Sequence, residues 1–476
     1  MELHTRPPAL PEAAVALLYV LAALSPVLAA AATGIEPVGV SSEFGAALGL
    51  TAAALLYLQF LSSGRFETIS GRLGIDRTMG FHRIAAYVLL AFAVLHPLLY
   101  LTNTLLADPL AAWHRLQGML GSPRLRTGVI ALVGLILIVC LATVRKRLRY
   151  EVWRASHGPL AVVVAGLVLH HAITVGAYSA ETVVRMVWLV LAAAAAGAAL
   201  LVYAVRPWRM WREDWRIERV RRVGAHIVEM MLRGPATTQL RFSAGQFIWV
   251  TLAPKRPPFH DHPFSIASAP ADLPRVRLVI NEVGDCTRTF ERVAPGTRVA
   301  VDGPHGSFVV PPQASPIILV AGGVGIAPVL GILEDAAARS DSRPYRVLYA
   351  ARKHSGLVFM DRLRELQTRL DLSIVYLVDE APRQPNCEAG PLRAAVVKEL
   401  VRAAETPTAA ALICGPPPMM EVAADALLDA GIPASSIHYE RFDYGAGKGR
   451  LDRARQRQAL LVFLVLVAAM TAFSLR

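Results

Sequence analysis

Five histidines inside two apolar stretches are the residues whose type and spacing could do chemistry. One stretch reads FHRIAAYVLLAFAVLHPLLYL, with His82 near its start and His96 near its end. The other reads SHGPLAVVVAGLVLHHAITVG, with His157 near its start and His170 and His171 near its end. His82 and His96 stand fourteen positions apart, as do His157 and His171. On a helix that spacing brings the second imidazole to within about 40° of the first, roughly 21 Å along the axis. His170 falls one position short, on nearly the opposite face. An imidazole in hydrocarbon is costly and needs a partner. Two such helices side by side form two His–His pairs at two depths. A bis-imidazole site suits haem, whose iron takes a protein nitrogen on each face. The alternative, hydrogen bonds to neighbouring carbonyls, does not require the pairs to match in depth.

The helices that must position these residues come first in the chain. Six apolar stretches of membrane length cover roughly residues 11–32, 42–62, 81–102, 126–144, 155–177 and 182–205. Arg65, Arg72, Arg77 and Arg83 surround the second connection, and Arg145, Lys146, Arg147, Arg149 and Arg154 fill the fourth. Arg206, Arg209 and Arg212 follow the sixth span, whereas the first and fifth connections hold no Lys or Arg. The third holds Arg115 and Arg124, so the bias is incomplete. Both ends of the six-span unit are therefore expected in the cytoplasm. His82 and His157 then lie near the inner side, and His96 and His170/His171 near the outer side. The N-terminal stretch lacks a convincing cleavage site and reads as an uncleaved span.

Composition agrees with a chain in two media. Of 476 residues 54% are hydrophobic, and the mean hydropathy is +0.43. That is too apolar for a wholly soluble protein, yet the chain after about residue 205 is too charged to be wholly embedded. At about 150 residues per domain, about three units are expected. The net charge of +13 follows from the positive-inside bias. Nothing resembles a nucleic-acid-binding pattern, so no nucleic-acid partner is expected. Cys140, Cys286, Cys387 and Cys414 are scattered, which excludes a disulfide scaffold and gives no zinc or iron–sulfur spacing.

From Trp208 to about Pro312 short apolar runs (AHIVEMML, GQFIWVTLA, VRLVINEV, TRVAVDGP) alternate with polar residues and Gly or Pro turns. This predicts a small antiparallel barrel or sandwich. From Ser315 to about Tyr439, strands (PIILVAGG, YRVLYAAR, LSIVYLVD, AALICGPP) alternate with helical patterns. That predicts a parallel α/β sheet with a nucleotide site at the strand ends. After Lys448, Arg450, Arg453, Arg455 and Arg457 comes ALLVFLVLVAAMTAFSL, read as a seventh membrane segment, with a docked or interfacial helix as the alternative.

The soluble half carries ordered motifs. His262-Pro263-Phe264-Ser265-Ile266-Ala267-Ser268 is followed by Gly284-Asp285-Cys286-Thr287 and by Asp302-Gly303-Pro304-His305-Gly306. Then come Ala321-Gly322-Gly323-Val324-Gly325-Ile326-Ala327-Pro328 and Cys414-Gly415-Pro416-Pro417. With the histidine-bearing spans, this constellation resembles the NADPH oxidase and ferric reductase superfamily over about residues 40 to 444. There a ferric-reductase-type membrane domain is joined to a ferredoxin-reductase-like FAD and NAD(P)H module.

The resemblance implies that His262 to Ser268 hold FAD. His262 would lie near its phosphate or ribose, Phe264 and Ser265 against the isoalloxazine, and Ser265 near flavin N5. It implies that Gly284, Thr287 and neighbouring amides bind the FAD phosphates, and that Gly303 to Gly306 form a turn beside the cofactor. Cys286 stands where relatives often have Trp. Gly322, Gly323 and Gly325, with Pro328 behind them, form a turn whose amides can approach a pyrophosphate at a helix N-terminus. Cys414, Gly415 and Pro416 would lie beside the nicotinamide. Arg352 and Lys353 follow the second strand, where two cations suit the 2′-phosphate of NADPH, while an acid there would favour NADH. HYERFDY, residues 438–444, resembles the terminal strand on which an aromatic covers the flavin, here Phe442 or Tyr444. Most relatives stop near here, so the hydrophobic tail departs from the pattern.

These readings divide the chain into a six-helix haem domain (1–207), an FAD-binding β-barrel (208–312), an NAD(P)H-binding α/β domain (313–444) and a basic linker with a membrane helix (445–476). The expected path runs from NADPH to FAD, to a haem b on His82 and His157, to a second haem b on His96 with His171 or His170, and to an outer acceptor. FAD is required because NADPH gives two electrons together and haem accepts one. The acceptor is oxygen or a ferric chelate; His114, Arg115, Arg124 and Arg126 could attract an anionic one. A membrane-anchored flavin reductase without haem and a nucleotide-regulated transporter are the competing readings. A bacterial inner membrane is expected, with the FAD and NAD(P)H domains cytoplasmic. No calcium-binding loop or activator-docking motif occurs in the chain, so constitutive activity is expected.

Overall fold

The computed structural model of the protein describes residues 12–63, 74–148, 150–253, 261–282, 284, 287–380, 387–402, 408–441 and 447–476. The chain forms two compact units. One comprises Met1–Phe66, Thr78–Val205 and Gln456–Arg476, the other Glu67–Arg77 and Arg206–Arg455.

The first unit is helical. Its helices are α1 (Glu12–Ala31), α2 (Val40–Leu61), α3 (Ile75–Leu99), α4 (Thr102–Ala107), α5 (Pro109–Gly121), α6 (Arg126–Thr143), α7 (Tyr150–Val175) and α8 (Thr182–Leu200). A π turn over Leu201–Val205 leads from α8 into α9 (Arg206–Arg212). In hydrocarbon a helix satisfies its own backbone, which is why apolar runs of this length take that form. Among the described residues seven helices are long and apolar enough to cross a membrane, the last being Arg450–Ser474. Helix α2 is the most enclosed: Leu48, Ala54, Leu55 and Tyr57 are buried, and the Tyr57 hydroxyl donates to the Ala165 carbonyl on α7 at 3.1 Å. The third connection folds into α4 and α5. Asp108 and Pro109 explain this locally: the Asp108 side chain accepts the Leu110 and Ala111 amides, and Pro109 occupies the first turn. Arg115 there donates to Thr104 at 2.9 Å.

The apolar part of the last helix belongs to this unit. Phe463, Leu466, Met470 and Phe473 enter the same core, and Phe463 stacks on Phe81 at 5.5 Å. Its other face exposes Leu460, Leu461, Leu464 and Val465. A helix apolar on both its packed and its open face suits lipid better than water.

The second unit carries two sheets. The first is six-stranded, from β1 (Trp215–Gly224), β2 (Ile227–Arg233), β3 (Phe247–Leu252), β4 (His262–Ser265), β5 (Arg275–Asn281) and β6 (Arg298–His305), in the order β4-β3-β6-β1-β2-β5. Its pairs are antiparallel, and a bridge from Ile266 to Leu278 links its two end strands. Alternate residues such as Met230, Leu232, Val276, Leu278 and Ile280 form its core.

The second sheet is parallel. It comprises β7 (Ile317–Gly322), β8 (Tyr345–Ala351), β9 (Leu372–Val378), β10 (Cys387–Ala389), β11 (Ala410–Cys414) and β12 (Ile437–Tyr439), in the order β10-β9-β8-β7-β11-β12. Helices α10 (Ile326–Ala338), α11 (Met360–Gln367), α12 (Ala394–Arg402) and α13 (Pro417–Asp429) alternate with these strands. All six residues of β7 are buried, as expected where helices cover both faces. The strand order reverses beside β7, with β8 on one side and β11 on the other. Such a switch point opens a crevice at the carboxyl ends of the strands.

Candidate functional site

Helix α3 presents His82 and His96, and α7 presents His157, His170 and His171. The imidazoles of His82 and His157 lie close enough to interact electrostatically, and so do those of His171 and His96. His170 is exposed and its Nδ1 lies 3.4 Å from Thr127 Oγ1. Helix α2 orients both α3 histidines. His96 Nδ1 donates to the Gly45 carbonyl at 2.7 Å. His82 Nδ1 lies 3.4 Å from Ser62 Oγ, just beyond the end of α2, while Gln59 Nε2 donates to the His82 carbonyl at 3.0 Å. A ring held through Nδ1 leaves Nε2 as the nitrogen available to a metal.

Two further features fit these pairs to a bound group. The Nδ1 atoms of His157 and His171 are buried without a hydrogen-bond partner. The rings of His96 and His171 also lie against glycines. A Cβ on Gly49 would come within 2.6 Å of two His96 ring atoms, and one on Gly128 within 2.6 Å of His171 Cε1. Helices α2 and α6 thus give up side chains where the imidazoles stand. The residues fit two bis-histidine iron sites. Near the first of these, Trp153 stacks on His157 at 5.4 Å.

In the second unit the two glycine-rich turns meet at the switch point. A Cβ on Gly325 would collide with the Cys414 carbonyl, and one on Gly415 would lie 3.0 Å from Gly322 Cα. A Cβ on Gly322 would reach Pro416 Cδ at 2.8 Å and Met419 Sδ at 2.5 Å. Gly323 has a left-handed backbone, φ 55°, which lets the turn open toward the N-terminus of α10. Pro328 is buried in the first turn of α10. Burial, then the nearby Glu440 carboxylate, pushes the Cys414 thiol up to about 12. It is therefore a small neutral wall and no nucleophile at ordinary pH.

Strand β4 carries His262, Pro263, Phe264 and Ser265, paired with β3 through Phe247↔Ser265 and Val250↔His262. Phe264 meets Phe290 edge-on at 5.8 Å. The side chains of Ile266 and Ala267 are fully buried in separate cores, and their amides donate to the Gln246 and Arg277 carbonyls. Ser268 Oγ accepts the Arg277 amide at 3.1 Å. These three residues frame the motif rather than presenting side chains at its surface. Thr287 Oγ1 accepts the Gly284 amide at 3.1 Å. Gly303 passes flush against Ile248, whose Cγ2 would lie 2.7 Å from a Cβ there. Cys286, Phe442 and Tyr444 lie outside the described residues.

Sequence reasoning missed Glu440. It follows β12 directly and is 3% exposed. A Cβ on Gly306 (φ 97°) would lie 2.5 Å from its Oε1, and its charge reaches Cys414. Gly306, Glu440 and Cys414 thus converge from three parts of the chain. Arg352 and Lys353 are exposed at the carboxyl end of β8, whose Ala350 pairs with Gly322. Across from them Glu380 accepts the His354 amide at 2.7 Å.

Comparison with known proteins agrees with this architecture. Residues 48–168 match the ferric reductase like transmembrane component, residues 213–309 an FAD-binding domain, and residues 319–425 the oxidoreductase NAD-binding domain. The reductase component of propane 2-monooxygenase from Rhodococcus jostii (strain RHA1) is 27% identical over 48% of this chain and 62% of that protein. The ferredoxin reductase component of 3-ketosteroid-9-alpha-monooxygenase from Mycobacterium tuberculosis is 27% identical over 43% of this chain and 56% of that protein. The chain thus spans less than two thirds of the length of these curated relatives. Among solved structures, the Amycolatopsis cytochrome P450 reductase is 25% identical, with 48% of this chain and 69% of that chain covered and a TM-score of 0.43. The flavohemoglobin of Malassezia yamatoensis is 17% identical, with 84% and 99% covered and a TM-score of 0.47. The three domains, in this order, match a ferric reductase and NADPH oxidase-like fusion, a ferric-reductase-like transmembrane component joined to a ferredoxin-reductase-type FAD and NAD(P)H module.

Proposed function

We propose that this protein is a transmembrane flavocytochrome b that moves electrons from cytoplasmic NAD(P)H to an acceptor on the opposite face of a bacterial plasma membrane. What supports the reading is the matched spacing of His82 and His96 on α3 and of His157 and His171 on α7, in a chain that also matches FAD- and NAD-binding domains. When bound, FAD takes two electrons as hydride and releases them singly, and each haem b carries one electron.

The chain's own residues bind, orient and exclude water. Gly322, Gly323 and Gly325 bring amides to the nucleotide pyrophosphate at the start of α10. Arg352 and Lys353 hold the 2′-phosphate, which selects NADPH over NADH. Cys414 and Gly415 leave room for the nicotinamide beside the flavin. His262, Pro263, Phe264 and Ser265 seat the isoalloxazine, with Ser265 near its reacting edge, and Gly284, Thr287, Gly303 and Gly306 line the rest of the cofactor. His82 with His157, and His96 with His171, ligate the two irons, and the Gly45 carbonyl and Ser62 hydroxyl hold the α3 rings in place. An open cleft of about 490 Å³ lined by Ser41, Phe44, Asn103 and Ser474 lies at the amino end of α2, near Gly45, and offers the acceptor an approach.

The test is an absorption spectrum of the purified protein in detergent, before and after anaerobic NADPH. Flavin and b-type haem bands, with the haem bands sharpening on NADPH, are expected. Flavin without haem in a fully reconstituted preparation would leave a membrane-tethered flavin reductase. Repeating the measurement in air with superoxide dismutase, then with a ferric chelate, separates oxygen from ferric iron as acceptor.

A further inference from the structure

The last helix brings a charge to the end of the membrane unit that carries His96. Glu43, in the first turn of α2, is 3% exposed. Its Oε1 accepts the Val38 amide at 3.1 Å, and its Oε2 accepts the Tyr178 hydroxyl at 2.5 Å. Arg476, past the end of the helix Arg450–Ser474, donates from Nη2 to the Tyr178 hydroxyl at 2.6 Å. The same nitrogen lies 3.7 Å from Glu43 Oε2. Arg476 Nη1 donates to the Ala30 carbonyl at the end of α1 at 3.3 Å, and the guanidinium stacks on Phe473 at 3.9 Å.

This cluster adjoins the surroundings of His96. Glu43 lies two residues before Gly45, whose carbonyl holds His96 Nδ1. Tyr100, edge-on to His96 at 5.4 Å, lies within the electrostatic reach of Glu43. Tyr178 follows α7, the helix that carries His171. In a low-dielectric interior a lone carboxylate at this point would act strongly on any charge change at the neighbouring pair.

We infer that Arg476 neutralises Glu43, and that the Glu43–Tyr178–Arg476 cluster thereby sets the electrostatic environment of the iron site formed by His96 and His171. The inference rests on the haem reading above. It gives the C-terminal helix a purpose: it closes the core of the membrane unit and delivers a fixed cation to its far end. A carboxylate favours the ferric form of nearby iron, and a cation favours the ferrous form. Arg476 offsets the first effect, and a guanidinium cannot shed its charge to escape the pairing.

The experiment is a redox titration of the haem-loaded full-length protein, read at the haem bands, for wild type, Glu43→Gln, Arg476→Gln and the double variant. Glu43→Gln should raise the potential of one haem and leave the other unmoved. The expected size is about tenfold in the reduced-to-oxidised ratio at fixed potential, or about 59 mV for a one-electron couple. Arg476→Gln should lower the same potential, and the double variant should return toward wild type. Unmoved potentials, equal shifts in both haems, or a double variant that fails to return would overturn the inference. Loss of one haem from both single variants would overturn it too, because it would assign the cluster to packing. Wild-type protein that binds no haem would instead defeat the haem reading itself.

Discussion

Gly128 stands directly against His171. A side-chain carbon on Gly128 would fall within 2.6 Å of the Cε1 atom and 2.9 Å of the Nε2 atom of the ring. Nothing larger than hydrogen fits there while the imidazole keeps its place. Gly128→Val should therefore remove the haem carried by His96 and His171 and leave the one carried by His82 and His157, halving the haem-to-protein ratio measured by pyridine haemochrome. His171→Leu should do the same, and His170→Leu should leave the ratio unchanged. A loss on changing His170 with retention on changing His171 would reverse the assignment and require a local distortion of α7.

The Cys414 thiol is enclosed. Burial, then the Glu440 carboxylate, pushes it up to about 12, so it is protonated at ordinary pH. Maleimide at pH 8 should spare Cys414 until the protein is unfolded, as read by peptide mass spectrometry. The rate of flavin reduction should show no inflection from Cys414 between pH 6 and 10. Labelling of native Cys414 at pH 8 would contradict the enclosed geometry.

The Gly325 turn tolerates no side chain because its neighbour is main chain. Gly325→Ala drives a methyl group into the Cys414 carbonyl, and the backbone of β11 cannot swing aside as a flexible side chain could. Overpacking of this kind costs about 1–3 kcal/mol. Thermal unfolding followed by flavin fluorescence should show the loss. NADPH-driven bleaching of the flavin should weaken more than tenfold while FAD content is retained. Normal NADPH kinetics in this variant would show that the two turns do not form the nucleotide site.

Arg352 and Lys353 can be tested by comparing nucleotides. Replacing both with Ala should raise KM for NADPH about tenfold, in line with the loss of charge-assisted contacts to a phosphate. KM for NADH should stay within twofold. Equal losses for both nucleotides would show that the pair acts on something common to them. The nearby Glu380, held by the His354 amide, would then be the residue to examine for a ribose contact.

What could be read before the fold was known is what repeats or is local. The histidine spacing obeys helix geometry, which favours His171 beside His96 while leaving His170 open. The Gly322–Gly325 and Cys414–Pro416 turns were readable because each follows an apolar strand and precedes a helical pattern. The unread features depend on distant parts of the chain. Gly49 and Gly128 look like any small residue in an apolar run, and only packing sets them against imidazoles. Glu440 is a lone acid after a short strand, and its place beside Cys414 comes from the parallel pairing of β12 with β11. Strand β1 was missed because WRIERVRRVG is dominated by charge, yet its Trp215 and Ile217 are buried while the neighbouring arginines face water. The link from Arg476 to Glu43 joins opposite ends of the chain, a distance no local pattern can encode.

The nucleotide- and flavin-binding half of the protein follows α8 in the chain and precedes the helix Arg450–Ser474, both apolar helices suited to a bilayer. A domain hung from a single anchor can pivot about it and visit its neighbours. One fastened at two points loses much of that freedom before any reaction begins, so less orientational entropy remains to be lost in the working arrangement. On the proposed reading, the electron output per molecule should not change when the protein is diluted among lipids.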